Sequence, residues 1–399
     1  MSMALEGIRI LDMTQGQHGP VGTQMLADVG ADVIKIEDPV SGDPARGLMA
    51  VWGKKVPLNY YFELNNRNKR AITLDLKKEK AKEILFKLVE KSDVFVTNYR
   101  AAGIKRLGLD YQTFSKINPR IIYAHAYGFG KEGPDADKMC LDTAAQARGG
   151  ICSISGESDG PPAILGAGAA DQVGAGMLAF GIAVALLARE RTGSGQEVNV
   201  SLLGSQAWMG SLALQEYLLS GELNVPPPRK EAANPLWNIY RCQDGKWVCL
   251  AMLWSDRFWP DFCMVMGLEH LEKDPRFESS EERKKNSREL IAILDDTFAR
   301  RPREEWKKRL DGRDLIWGPV NSYAEVAADP QIIANEYVVD FDHPSGKRIK
   351  MVGFPVKLSK TPGKIRMPAP EFGQHTEEIL LELGYSWDDI ASFRDQGAI

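Results

Sequence analysis

Short apolar runs alternate with longer amphipathic stretches along the first half of the chain. The apolar runs predict strands over residues 8–13, 32–37, 70–76, 94–97 and 120–125, and helical patterns lie between them, through Leu26 and Val29 and over about 80–91. Strands that alternate with helices of this length favour βαβ units, in which helices cover both faces of a parallel sheet. The pattern therefore predicts an α/β fold with a Rossmann-like parallel-sheet large domain.

The second half begins with a long apolar helix near residue 171 and a strand over 197–202, and its helical pattern continues to about 221. A proline-rich break over 225–230 is typical of a linker. Beyond it, 239–252 predicts a hairpin that turns at Asp244-Gly245, and charged amphipathic helices follow over about 280–310. We predict a large α/β domain over 1–225, a smaller α+β domain over 226–325, and a C-terminal segment, 326–399, that returns to the large domain with a strand over 349–354 and a helix over 375–383.

The long apolar helix has an acid at its start. Val173–Ala188 carries no charge over 16 residues, which predicts a buried helix, and this length is below the roughly 20 residues that cross a bilayer. Asp171 stands at or just before the first turn, where backbone N–H groups and the helix dipole would keep its carboxylate ionised. Asp is a preferred N-cap residue, but the small neighbouring residues would also let a substrate carbonyl approach a carboxylate nucleophile. The local sequence leaves both interpretations open.

Charge, cysteines and motifs exclude several classes of protein. Lys and Arg number 50 against 54 Asp and Glu, so no basic excess points to a nucleic-acid partner. The five cysteines show neither C-x-x-C spacing nor adjacent His pairs, which leaves no predicted metal site. The G-x-G-x-x-G and G-x-x-x-x-G-K-[ST] fingerprints of dinucleotide and P-loop sites are missing. The N-terminus shows no signal-peptide pattern. We predict a cytoplasmic protein without a membrane partner.

Short segments along nearly the whole chain match one known family in the right order. They are 5–8 (LEGI), 17–24, 30–37 (GADVIKIE), 42–43, 68–70 (NKR), 74–76 (LDL), 98–100 (NYR), 107–109, the stretch around Asp171, 189–193 (RERTG), 318–320 and 373–376 (GQHT). In these segments the chain resembles the class III CoA-transferases, which include formyl-CoA, carnitine and bile-acid CoA-transferases and the α-methylacyl-CoA racemases. The resemblance places Asp171 on the catalytic aspartate of the family and so favours the nucleophile over the cap.

The resemblance implies an acyl-CoA:carboxylate CoA-transferase with coenzyme A as part of its substrate and no prosthetic group. Asp171 would attack the donor thioester, form a mixed anhydride, and then become an aspartyl-CoA thioester that the acceptor acid resolves. Contacts to CoA carry over to one set of positions: Gln17, His18, Leu74, Lys77, Asn98, Tyr99, Arg100, Arg106 and Lys138. Arginines suit the phosphates of CoA. Two positions depart from the family pattern, since Asp38 stands where a basic residue is common and Lys138 comes one place early.

Two other functions are weighed against the transferase. A racemase moves a proton α to the thioester and needs an acid/base pair, but Leu141 occupies the position of the family's catalytic His. His125 is the nearest imidazole and lies on a predicted strand, where a core histidine is expected. A non-catalytic CoA-binding subunit of a hetero-oligomer would be expected to lose Asp171, which is present.

The resemblance also gives expectations for the acceptor acid and for the oligomeric state. Formyl-CoA transferases carry a run of glycines in the small domain, whereas 251–259 is bulky and aromatic here. Trp254 could line an apolar acyl pocket or belong to the core of the small domain. We expect a larger, partly apolar or aromatic acceptor acid. The family implies an interlocked homodimer, or an assembly with a homologous second subunit. The linkers near 220–230 and 325–335 would allow the two chains to interlock.

Overall fold

The chain divides into two compact units. The first comprises Met1–Cys152, Ile164–Leu219 and Ile333–Ile399, and the second comprises Ser153–Ala163 and Ser220–Ile332. The structure, a computed structural model, describes residues 2–56, 58–156, 160–166, 168–222 and 225–399. Each unit has its own apolar core, as expected of a chain too long to bury its apolar residues in one.

Six parallel strands form the main sheet of the first unit and confirm the predicted α/β class. They are β1 (Arg9–Met13), β2 (Asp32–Glu37), β3 (Lys69–Thr73), β4 (Val94–Thr97), β5 (Ile122–Tyr127) and β6 (Glu197–Ser201). Their spatial order is β3-β2-β1-β4-β5-β6. The direction of winding reverses between β1 and β4, and open α/β sheets bind ligands outside the carboxyl ends of strands at such a reversal.

Alternate strand residues face two apolar layers, because side chains along a strand point to opposite faces. On β1, Leu11 lies in one layer and Ile10 in the other, and on β4 Phe95 and Val94 divide in the same way. The helices of this part of the unit are α1 (His18–Asp28), α2 (Leu48–Val51), α3 (Tyr60–Asn66), α4 (Glu79–Glu90), α5 (Ala101–Leu107), α6 (Tyr111–Ile117), α7 (Asp142–Arg148), α8 (Ala169–Thr192), α9 (Leu202–Met209) and α10 (Ser211–Ser220).

The second unit combines a three-stranded antiparallel sheet with helices. Its strands are β7 (Trp237–Arg241), β8 (Trp247–Ala251) and β9 (Trp317–Val320), and its helices are α11 (Ser255–Met266), α12 (Ser280–Lys285), α13 (Ser287–Phe298), α14 (Arg303–Leu310) and α15 (Tyr323–Ala328). After α16 (Pro330–Ala334), the C-terminal part of the first unit adds the hairpin β10 (Val338–His343) and β11 (Lys347–Val352), then α17 (Thr376–Glu382) and α18 (Trp387–Asp395).

Element boundaries differ from the predictions where turns and caps intervene. The strand predicted over 70–76 ends at Thr73, because Asp75 begins a turn in which its carbonyl accepts from the Lys78 N–H at 2.8 Å. The helical stretch over 280–310 is three helices, interrupted at Asn286 and Pro302. Hydrophobic periodicity finds the elements, but local backbone hydrogen bonds set their ends.

Helix α8 corrects the prediction of a helix buried on all sides. Phe180, Val184 and Leu187 lie on one helical stripe and are 67%, 47% and 55% exposed. With 24 residues, α8 is also long and apolar enough to cross a membrane by length and composition. The 16-residue length of its uncharged stretch therefore does not exclude a membrane span. In its most apolar window 44% of the residues are buried, and the core helix of a globular protein can pass the same test of length and composition.

Candidate active site

The loops after β1 and β4 meet at the reversal point of the sheet. The Gln15 N–H donates to Asn98 Oδ1 at 3.0 Å, and Asn98 Nδ2 donates to the Gln15 carbonyl at 2.7 Å. Gln15 Nε2 also donates to the Tyr99 hydroxyl at 2.9 Å. These bonds hold together the two loops that contain most of the predicted CoA contacts.

A buried network of charges supports the first of these loops. Asp12 on β1 pairs with Lys69 on β3 at 2.8 Å, and Lys35 on β2 pairs with Asp43 at 2.9 Å, all with fully buried side chains. Lys35 Nζ donates to the Thr14 carbonyl at 2.8 Å, and Asp43 accepts from the loop. Burial lowers the pKa of Lys69 to about 8, while the nearby Asp12 opposes the change. None of the predictions from the sequence included this network, although charged residues inside apolar strands were a signal for it.

Asp171 is the third residue of α8 and is not its N-cap. The cap is Gly168, whose φ of +83° favours glycine and which offers no capping side chain. A Cβ at Gly168 would come within 2.6 Å of Gln17 Nε2, so glycine also permits the close approach of the first loop. The cap interpretation of Asp171 is therefore wrong, and its half-buried carboxylate has no hydrogen-bond donor among the described residues.

The backbone amides at this helix end bind a different carboxylate. Asp142 Oδ1, on α7, accepts from the Ala170 N–H at 2.7 Å and from the Asp171 N–H at 3.2 Å. Burial, and next the negative charge of Asp142, raise the pKa of Asp171 to about 7. The expectation that the helix terminus would keep Asp171 ionised is therefore wrong, because burial dominates its pKa and Asp142 already accepts from two of those N–H groups.

Three ionisable side chains from other segments lie near the start of α8. Burial, followed by the charge of Asp171, raises the pKa of Tyr61 on α3 and raises that of Cys140 to about 11. The side chain of His18, on α1, is buried against Gly174 of α8, and burial lowers its pKa to about 4 against a smaller opposing effect of the Gly174 carbonyl. His18 Nε2 has no hydrogen-bond partner in the part of the chain that the structure describes. At neutral pH this imidazole is uncharged and cannot pair with a phosphate as a cation.

The comparisons with known proteins decide the class of this site. The chain matches the sequence model of CoA-transferase family III over residues 5–376. The chain belongs to this family. It is 35% identical over 417 residues to a formyl-CoA:oxalate CoA-transferase of Streptomyces avermitilis, and 31% identical over 402 residues to an (R)-2-hydroxy-4-methylpentanoate CoA-transferase of Clostridioides difficile, each covering 100% of both chains. A crystal structure of a CaiB/BaiF family protein from Brucella suis has a TM-score of 0.85 and 30% identity, covering 96% of this chain and 100% of that one.

The resemblance found in the sequence is thus confirmed, and this CoA-transferase uses CoA thioesters as substrates. Among the predicted contact residues, Leu74 is buried, whereas Lys77, Arg100 and Arg106 are exposed and form no ion pair with any described residue. Lys138 is also exposed but pairs with Asp135 at 2.6 Å. The described residues contain no group of three His, Cys, Asp or Glu side chains that could hold a metal ion.

Three further positions of this CoA-transferase have clear structural surroundings. Asp38 accepts from the Val40 and Ser41 N–H groups and so stabilises its own turn. His125 is a core histidine, as predicted, with its Nε2 2.8 Å from the Tyr99 carbonyl. Trp254 is exposed and not part of the core of the second unit.

Proposed function

We propose that this CoA-transferase works through a covalent aspartyl intermediate on Asp171. The observation that carries the proposal is the Asp171 carboxylate itself, half-buried, without a donor among the described residues, and beside the loop that holds Gln17. A carboxylate with a raised pKa is more basic than an ordinary aspartate and therefore more nucleophilic once ionised.

The proposed reaction conserves every group. An Asp171 oxygen attacks the thioester carbonyl, the C–S bond breaks, and CoA leaves as a thiolate from a mixed anhydride. The thiolate attacks the Asp171 carbonyl, which releases the donor carboxylate and leaves an aspartyl-CoA thioester. The acceptor carboxylate attacks this thioester and forms a second anhydride, whose acceptor carbonyl takes back the thiolate. Asp171 is thereby regenerated.

CoA would bind at the reversal point of the sheet. Lys77 and Arg100 follow the carboxyl ends of β3 and β4, and Arg106 follows in α5, all exposed and available to the phosphates of CoA. Gln17, His18, Leu74, Asn98 and Tyr99 would line the less charged part of the site. Lys138 is a weaker contact in this proposal, because Asp135 already neutralises it.

The acceptor is proposed to be a larger, partly apolar or aromatic carboxylic acid. The relative that acts on (R)-2-hydroxy-4-methylpentanoate supports a branched acid. Formyl-CoA:oxalate relatives at 35% identity make oxalate the competing acceptor. Transfer to oxalate at a higher kcat/KM than to branched or aryl acids would contradict this part of the proposal.

Mass spectrometry of trapped intermediates tests the mechanism. The protein is incubated with a panel of acyl-CoA donors, and hydroxylamine or borohydride then traps acyl and thioester adducts. We expect an adduct on the peptide that contains Asp171, absent from Asp171→Ala. No adduct with any donor, together with α-proton exchange in deuterated water, would overturn the transferase mechanism in favour of the racemase. The absence of both reactions would favour the non-catalytic subunit.

We also propose that the enzyme acts as a homodimer in the cytoplasm. Helices α8, α9 and α10 of the first unit expose many apolar side chains; they are Phe180, Val184, Leu187, Trp208, Met209, Leu212, Leu214, Tyr217, Leu218 and Leu219. Monomeric proteins rarely expose large apolar patches, and three successive helices with this many exposed apolar side chains favour a covered surface. A second copy of the chain would cover them.

Light scattering coupled to size-exclusion chromatography tests the dimer. We expect a mass near 89 kDa, about twice the chain mass of 44.3 kDa, and a shift to monomer or aggregate when Leu212→Glu and Leu218→Glu are combined. Trp387→Glu is the matched control, because Trp387 is also an exposed apolar side chain but lies on α18. A monomeric wild-type protein at micromolar concentration would contradict the proposal.

A further inference from the structure

Asp142 performs the capping task that α8 cannot perform for itself. The cap position of α8 is a glycine, and the first turn of any helix leaves backbone N–H groups without partners. Asp142 Oδ1 accepts from two of these, on Ala170 and Asp171, although it lies 28 residues before the first of them. Asp142 does not cap its own helix, since it is the first residue of α7 and the cap position there is Leu141.

The second oxygen of Asp142 is held in place as well. Gln146, one turn later on α7, donates from Nε2 to Asp142 Oδ2 at 2.7 Å and is itself fully buried. Both carboxylate oxygens are therefore engaged, and the side chain has one orientation. Because one of the bonded N–H groups is that of Asp171, this orientation also fixes the backbone from which the Asp171 side chain projects.

We infer that Asp142 is a positioning residue for the transfer reaction, which orients Asp171 by bonding the first turn of α8 and places a second negative charge beside it. The inference rests on the proposed function of Asp171. Asp142 itself takes no part in the covalent steps. Its contribution is the direction and the reactivity of the neighbouring carboxylate.

No cation among the described residues near Asp171 offsets the charge of Asp142. The groups that interact with its charge are Asp142 from α7, Tyr61 from α3 and Cys140 from the segment before α7. The neutral His18 from α1 lies against Gly174, further along α8. With burial, the charge of Asp142 raises the pKa of Asp171 to about 7. Tyr61 and Cys140 are protonated at that pH and respond to Asp171 without controlling it.

A more basic Asp171 fits the chemistry of anhydride formation. An ordinary aspartate, with a pKa near 4, would have to expel a thiolate whose conjugate acid has a pKa of about 8.5. Such an attack is unfavourable, because the better leaving group in the tetrahedral intermediate is then the aspartate itself. Raising the basicity of Asp171 toward that of the thiolate reduces this mismatch. The charge of Asp142 thus makes the neighbouring Asp171 a better nucleophile.

Asp142→Asn separates the charge from the geometry. The amide oxygen of Asn can still accept from the Ala170 and Asp171 N–H groups. Its NH₂ group can donate to Gln146 Oε1 after a flip of the Gln146 amide, and that oxygen is buried and has no partner among the described residues. Asp142→Ala, in contrast, removes both the charge and the hydrogen bonds. Both variants therefore lose the charge at position 142, but only Asp142→Ala should also lose the fixed orientation of Asp171.

Two measurements on the full-length protein test the inference. The first is the pH dependence of adduct formation on the Asp171 peptide. The second is a ¹³C NMR titration of protein labelled at the aspartate carboxyls, in which the signal missing from Asp171→Asn reports on Asp171. For Asp142→Asn we expect both midpoints to fall by about one pH unit, and the adduct rate at high pH to fall about threefold. For Asp142→Ala we expect the same shift and a further loss of about 10- to 100-fold in rate.

The control is Asp110→Asn, because Asp110 makes the same kind of capping bond, to the Thr113 N–H at 2.9 Å, on α6. It should leave both midpoints unchanged. Midpoints for Asp142→Asn that coincide with wild type would overturn the inference and reduce Asp142 to a structural cap. A wild-type protein that forms no adduct would instead refute the proposed function, whatever the titration shows, so the two failures are distinguishable.

Discussion

Asp171→Asn is expected to reduce CoA transfer by about 10⁴-fold or more, because the variant keeps the shape of the side chain and loses the nucleophile. The measurement is the steady-state rate of acyl-CoA formation with the best donor and acceptor from the trapping panel. Glu190→Gln is the matched control, since it makes the same kind of change near the other end of α8, at an exposed side chain. Residual activity above about 10% in Asp171→Asn would exclude a covalent role for this residue.

The same variant is expected to become more stable than wild type as the pH rises. The folded-state pKa of Asp171, about 7, lies above the ordinary value of 3.8, so ionisation opposes folding. Protonated Asp171 makes its full contribution to the free energy of unfolding below about pH 4, and this contribution is lost as the pH rises through 7. A shift of this size corresponds to at most about 4 kcal/mol, and partial solvent exposure reduces it to about 2 kcal/mol.

Thermal melts of Asp171→Asn and wild type at pH 4 and pH 8 measure this effect. The two proteins should melt together at pH 4 and separate at pH 8, with the variant higher. An equal difference at both pH values would show that the substitution acts through packing and not through the charge of Asp171. Active sites that hold an unfavourable charge commonly gain stability when the charge is removed.

Lys69→Met is expected to destabilise the first unit by about 3–5 kcal/mol, because it leaves the buried carboxylate of Asp12 without its closest cation. Lys69 Nζ also donates to the Pro20 carbonyl and to Asn66 Oδ1, both at 2.9 Å, and these acceptors lose their donor too. The loop that carries Gln17 rests on this network, so CoA binding should weaken with it. Urea unfolding and the Kd for CoA are the two measurements.

Lys285→Met is the control for the loss of a lysine charge, because its ion pairs on α12 are exposed. It should leave the free energy of unfolding close to that of wild type. The double variant Asp12→Asn with Lys69→Met should recover part of the stability that Lys69→Met loses, since no buried charge is then left alone. A cost of Lys69→Met as small as that of the control would mean that water reaches Asp12.

The sequence by itself determined the class of fold and the main candidate for chemistry. Apolar runs of four to seven residues separated by amphipathic stretches allow few arrangements besides a parallel sheet with helices on both faces, and all six strands lie close to their predicted positions. Asp171 could be singled out because an acid is costly in an apolar stretch and therefore needs a local reason. Both inferences depend on interactions between residues that are near in sequence.

The tertiary structure alone decided the environment of that acid. Asp142 bonds the first turn of α8 from 28 residues away, and Lys69 meets Asp12 across 57 residues. A local pattern can mark such charged residues as unusual, but it cannot show which residues they pair with. The pKa of Asp171 depends on everything that displaces water around it, and the sequence predicted its direction wrongly for that reason. The exposed stripe of α8 was missed on the same grounds. A sequence pattern shows which residues are apolar, but only the packed neighbours determine which of them are covered.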